Sequence, residues 1–160
     1  MTLLKAIFCK FIGNFGIVHS GVVYRSGQAF ILYPIWFVMW TTEFFGGAGL
    51  KSILNLSHKP EKDPEDTFEA WFCKVLGIKY YSWWTLNYDN FDEVWEKLIE
   101  CPKPVVVHCE GGKDRTGGLI GHYERMVLKH NYETILNNWA THMIPANGWI
   151  EFLIARWEAK

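Results

Sequence analysis

The chain has no marked charge of either sign, few cysteines, and no apolar run long enough to cross a bilayer. Its 16 Lys and Arg against 17 Asp and Glu give a formal net charge of −1. That balance gives no reason to expect nucleic-acid binding, so positive potential has to be local. There is no basic tail and no low-complexity run. The four cysteines, Cys9, Cys73, Cys101 and Cys109, do not fall at zinc-ligand spacings, so no metal and no cofactor is expected. The most apolar stretch, residues 30–40, falls short of the ~20 residues that span a bilayer and contains Pro34. Near the N-terminus, Lys10 and Asn14 interrupt the apolar run that follows Lys5, and no small-residue cleavage site follows; a signal peptide is not expected. The expectation is a cytoplasmic protein without an integral span, with peripheral membrane contact left open.

At 160 residues the chain reads as one domain, residues 1–14 forming an N-terminal extension. It carries an unusual aromatic load, nine Trp among it. Strand and helix patterns alternate. Residues 15–28 read as a hairpin of two short strands around a His-Ser-Gly turn, and residues 50–56 as a central strand. Residues 59–65 are a charged loop. Asp66 and Thr67 then open an amphipathic helix over 68–76, with Phe68, Trp71, Phe72, Val75 and Leu76 on one face, and Gly77 stops it. Residues 78–84 read as a strand, 85–90 as a loop, and 91–100 as a helix turning Phe91, Val94, Trp95 and Leu98 inward. The remainder after residue 119 reads as helices over 119–129, 132–142 and 148–160. The fold class is therefore α/β, a small mostly parallel sheet flanked by helices with a C-terminal helical layer.

The informative stretch runs from Pro104 to Leu119. Three valines after a proline read as a short buried strand, and the apolar run from Leu119 belongs to a helix beginning near Arg115. Between them lie Cys109, Glu110, Gly111, Gly112, Lys113 and Asp114. Glycines let backbone amides turn inward, and the helix aims its free N–H groups and positive dipole end at whatever the loop holds. The fitting occupant is an oxyanion. A thiol beside such amides, Lys113 and Arg115 is in a setting that favours its ionised, nucleophilic form. A bidentate arginine suits the phosphate that this thiolate would attack, and Thr116 is placed to hydrogen-bond the sulfur. Such a nucleophile needs a reducing compartment. The competing reading is a buried structural cysteine beside an ordinary turn, which has no need of two cations.

His108-Cys109, five residues, then Arg115-Thr116-Gly117 resembles the signature of the Cys-dependent protein tyrosine phosphatases at every defining position. Val23-Tyr24-Arg25-Ser26-Gly27-Gln28 resembles the entry element of the atypical dual-specificity members, and Ile53-Leu54-Asn55-Leu56 one of their strands. The resemblance spans residues 15 to about 142. It departs after Gln28, where the family has a proline and a short polar helix and this chain has an apolar, Trp- and Phe-rich stretch, residues 30–45, which reads as core or as an apolar flap. The resemblance implies a metal-independent phosphatase with Cys109 as nucleophile. Arg115 and the loop from Glu110 to Asp114 would bind phosphate, with His108, Thr116 and Arg25 supporting. The superfamily places its general acid on a loop upstream of the cysteine, which points to Asp89; that residue could instead cap the next helix. Lys113-Asp114-Arg115-Thr116 resembles a bacterial tyrosine and lipid phosphatase subgroup in which the loop aspartate is the candidate, which points to Asp114. The implied substrate is a phosphorylated protein. The alternative is an inositol phosphate or phosphoinositide, which Lys113 suits. Cys73 or Cys101 could trap oxidised Cys109, or be plain core residues. A silent phosphate-binding module or a sulfurtransferase is the reading of another class.

Overall fold

The computed structural model describes residues 14–27, 49–58, 67–84, 86–142 and 146–159. Cys9, Gln28, the apolar 30–45 stretch and the 59–65 loop lie outside the described residues. In chain order these form β1 (Gly16–His19), β2 (Val23–Gly27), β3 (Ser52–His58), α1 (Phe68–Leu76), β4 (Lys79–Trp84), α2 (Phe91–Glu100), β5 (Val105–Cys109), α3 (Asp114–Met126), α4 (Tyr132–His142) and α5 (Asn147–Glu158). The sheet order is β1-β2-β5-β3-β4. Only β1 runs antiparallel to its neighbour; the β2–β5, β5–β3 and β3–β4 pairs are parallel. No helix of the described residues is long and apolar enough to cross a membrane.

β5 sits in the middle because it is apolar on both faces, as a parallel strand covered on both sides must be. Its alternation divides the core. Val105, Val107 and Cys109 join Phe91, Val94 and Leu98 of α2, Leu119 and Ile120 of α3, Trp139 of α4 and Trp149 of α5. Val106 packs on the opposite face with Tyr24, Ile53, Ile78 and Cys73 of α1. The aromatic load finds its place against glycines of α3. A Cβ on Gly118 would lie 2.6 Å from the Trp149 ring, and one on Gly121 2.4 Å from the Trp139 ring. Trp139 also donates its indole N–H to the Gly117 carbonyl at 3.1 Å. Glycine inside a helix costs about 0.5–1 kcal/mol relative to alanine; here it lets two large rings seat directly on the helix that follows β5.

α1 begins and ends where the sequence places it. Thr67 accepts from the Ala70 N–H at 3.1 Å, and Gly77 closes the helix at φ 67°. Its inward face differs from expectation. Phe68, Trp71 and Val75 are exposed, Phe72 and Leu76 are partly covered, and the helix instead buries Glu69 and Cys73. The reason is polar. Glu69 finds Asn55, Tyr80 and His108 on three strands, and these partners turn the helix away from its most apolar stripe. Hydrophobic periodicity carries no signal for a carboxylate buried by its partners.

Glu124 on α3 is a second buried carboxylate, 4% exposed. Asn138 donates to its Oε1, and His130 Nδ1 lies 3.8 Å away. Burial pushes its pKa up to about 7, with the Asn138 hydrogen bond and the Arg25 charge pulling only partly back. The folded value stands above the ordinary 4.5, so the folded state holds a proton that the unfolded state releases. The associated stability is fully present below 4.5 and is lost as pH rises through about 7. Glu124→Gln should therefore raise thermal stability at neutral pH and above, by ~1–3 kcal/mol, and the gain should shrink to nothing in acid. Thermal melts of both proteins across this range check it; a pH-independent difference would contradict it.

Candidate active site

β5 delivers Cys109 at its C-terminal end and α3 starts at Asp114, leaving the loop between them to close over a cavity of about 300 Å³. Its walls are Cys109, Glu110, Gly111, Lys113, Asp114 and Arg115. The site lies where open parallel sheets place ligands, beyond the carboxyl ends of adjacent strands and at a helix N-terminus. Six of the residues singled out in the sequence thus converge. Gly112, expected among the phosphate contacts, is not among the residues lining the cavity.

Gly112 is instead the seat of the loop. Its φ is +63°, and a Cβ there would lie 2.5 Å from the Gly27 nitrogen and 2.6 Å from the Ser26 carbonyl carbon and oxygen. Only glycine fits both the backbone angle and the approach. Its carbonyl accepts from Arg25 Nη2 at 2.7 Å and from Asn14 Nδ2 at 3.1 Å. Arg25 is 1% exposed and does not line the cavity; it pairs with Val107 on the sheet face that Cys109 joins, and its guanidinium braces the loop from beneath. Asn14 also reaches the carbonyls of Gly111 at 3.3 Å and His142 at 2.7 Å, tying loop and α4 together. Sequence reading missed Asn14: one asparagine before a hairpin carries no signal, although its φ of 60° is of the kind asparagine tolerates.

Around the thiol, Arg115 is half-buried and anchored by Nη1, which donates to the Leu56 carbonyl at 3.0 Å. Thr116 is fully buried, and its Oγ1 has no hydrogen-bond partner among the described residues. A buried hydroxyl one residue past Arg115 is free to serve the sulfur or an oxyanion. His108 points to the opposite face of the sheet, its Nε2 2.7 Å from Glu69 Oε1. Burial would raise the Glu69 carboxyl; the electrostatic pull of His108 and the hydrogen bonds from Tyr80 and Asn55 outweigh it and hold it below the ordinary value. Cys73 is pushed up to about 12 by burial and by the Glu69 charge, and burial also raises Cys101, so both are thiols of low reactivity. Among the described residues, no three His, Cys, Asp or Glu side chains converge as a metal site would require.

The two candidate acids part company. Asp114 lies in the cavity wall, with Oδ1 accepting from the Ala146 N–H at 2.7 Å and the Lys113 ammonium 3.9 Å away. Asp89 is exposed and is not a lining residue. Its loop is fixed by its own contacts: Asn87 Oδ1 accepts from the Asp89 and Asn90 N–H groups at 3.0 Å each. Next to it the Tyr88 ring packs 4.9 Å from Trp149 and from Phe152.

A family model described as the tyrosine phosphatase family matches residues 52–141. Among curated proteins none matches the chain. Among solved structures, the Siw14 catalytic core is 25% identical, with a TM-score of 0.64 over 87% of this chain and 82% of that one. The core catalytic domain of the PP-IP phosphatase SIW14 from S. cerevisiae, in complex with citrate, is 26% identical, with a TM-score of 0.61 over 88% and 84%. P. aeruginosa TpbA in complex with pTyr, 17% identical with a TM-score of 0.52 over 73% and 66%, shares the fold.

The seat of the loop makes a paired prediction. Gly112→Ala should cost ~1–3 kcal/mol of stability and most of whatever turnover the cavity supports. Gly111→Ala, where a Cβ meets nothing within 4 Å, should keep the stability of the parent. Melting temperatures and turnover of the two variants check this; equal behaviour would contradict it.

Proposed function

The chain belongs to the tyrosine phosphatase family, and from that premise we propose that it hydrolyses phosphomonoesters through Cys109. The observation that carries this reading is the cavity itself, where one thiol faces Arg115 and Lys113 at the N-terminal end of α3. Arg115 and the loop amides hold three phosphate oxygens. The Cys109 thiolate attacks phosphorus in line, forming the S–P bond as the ester P–O bond breaks. The leaving oxygen takes a proton from Asp114. Water then attacks the cysteinyl phosphate, giving its proton to Asp114, and the thiolate departs with the Thr116 hydroxyl as hydrogen-bond donor. The family match favours this chemistry over sulfur transfer.

For the acid, the position of Asp114 in the wall outweighs the upstream placement of Asp89. For the substrate, two observations favour an inositol phosphate carrying neighbouring phosphates over a phosphorylated protein. Lys113 stands beside Arg115 at the cavity with its side chain 37% exposed, adding a second cation to the one that grips the reacting phosphate. The likeness at 25–26% identity is to a PP-IP phosphatase, and the pTyr-bound neighbour is similar in fold alone.

The test is a turnover panel of para-nitrophenyl phosphate, phosphotyrosyl peptides, inositol hexakisphosphate and inositol pyrophosphates. Vanadate-sensitive hydrolysis with the highest kcat/KM on the inositol compounds is expected; preference for the peptides would return the substrate to phosphoprotein. Asp114→Asn should lower kcat ~10²-fold or more with Asp89→Asn near wild type, and the reverse order would reinstate Asp89.

A further inference from the structure

Glu69 is a carboxylate on the buried face of its helix. It is 2% exposed, in the first turn of α1, and burying a charge is costly unless every lone pair is met. Its two oxygens have specific neighbours. Oε2 accepts from Asn55 Nδ2 at 2.8 Å and from the Tyr80 hydroxyl at 2.9 Å. The Asn55 amide cannot be turned over, because its Oδ1 accepts from the Ser57 N–H at 2.8 Å. Oε1 stands 2.7 Å from His108 Nε2. A carboxylate oxygen and a bare ring nitrogen are both acceptors and would repel at that distance, whereas a proton on Nε2 makes the contact attractive. His108 is wholly buried and directly precedes Cys109. Its backbone pairs with Ser26 of β2 and Asn55 of β3, at the end of the strand from which the loop departs.

We propose that Glu69 is a positioning residue of this site: it fixes the ring orientation and tautomer of His108 and thereby the direction in which Cys109 enters the cavity. The inference rests on the hydrolase reading above. α1 is thus bound to the chemistry through a single side-chain chain, Glu69 to His108 to Cys109, on the sheet face opposite the core that Cys109 itself joins. A loop nucleophile must stay in line with its target within a fraction of an ångström, and misplacement by about 1 Å costs ~10²-fold in rate.

Glu69→Gln tests the role. The new amide has one oxygen, and two donors, Asn55 and Tyr80, already require it. Its NH₂ must face His108 Nε2, which drives the ring proton to Nδ1. The expected result is a change of His108 tautomer in side-chain ¹⁵N spectra and a fall in kcat for para-nitrophenyl phosphate of ~10-fold or more, with KM within about twofold. Tyr80→Phe removes one donor from the same carboxylate but leaves the Glu69–His108 contact, so it should lower stability and leave the tautomer as in wild type. A folded Glu69→Gln protein with wild-type kcat would overturn the proposal while leaving the hydrolase reading intact. If Glu69→Gln does not fold, the wild-type spectrum decides: a proton on Nε2 supports the role, and one on Nδ1 alone overturns it. Wild-type protein without turnover of any phosphomonoester would overturn the hydrolase reading, and this role with it.

Discussion

The close approach of Gly112 to the backbone of Ser26 and Gly27 is the contact on which the cavity depends. A residue with φ +63° and no room for a Cβ sits at the turning point of the loop, and its carbonyl is held by a buried arginine and a buried asparagine. The direction of that carbonyl sets the path of the chain on either side of it. Moving it would shift Cys109 and Arg115 relative to each other, and an in-line displacement tolerates little of that. The entry hairpin therefore shapes the loop without lining the cavity: β2 presents the backbone of Ser26 and Gly27, and Arg25 reaches the Gly112 carbonyl.

The two faces of the sheet divide the work. On one, α2 to α5 bury most of the apolar surface, and Trp139 and Trp149 clamp α3 through its glycines. That clamp fixes the helix whose N-terminus faces the cavity. On the other, a smaller cluster leaves space for the buried polar set of Glu69, Asn55, Tyr80 and His108. Apolar packing thus fixes the cavity-facing helix, and directional hydrogen bonds bear on the strand that carries the thiol. The first is tolerant of small volume changes; the second depends on each donor and acceptor being in place.

What could be read from the sequence follows from range. The β5–loop–α3 unit is continuous in the chain, so its valines, glycines, cysteine and arginine declared the local structure and brought together the residues that now line one cavity. The helices over Phe68–Leu76, Phe91–Glu100 and Tyr132–His142 were legible from caps and periodicity. Long-range polar contacts were not. Asn14 meets the loop 97 and 98 residues away, and Glu69 acts through strands before and after it. The inward face of α1 was misjudged because a stripe of Phe68, Trp71 and Val75 outweighs one glutamate in any hydrophobic pattern. Which of Asp89 and Asp114 lines the cavity could not be read from the chain, because the packing of Tyr88 on α5 beside an exposed Asp89 is a long-range contact.

The central claim is that phosphoryl transfer passes through Cys109. Rapid acid quench of the enzyme during turnover of a phosphomonoester, followed by peptide mass analysis, tests it most directly. The account predicts a phosphoryl group on the Cys109 peptide during turnover, absent from a Cys109→Ser variant that still binds vanadate. Steady turnover with no adduct at Cys109, or undiminished turnover by the serine variant, would contradict it.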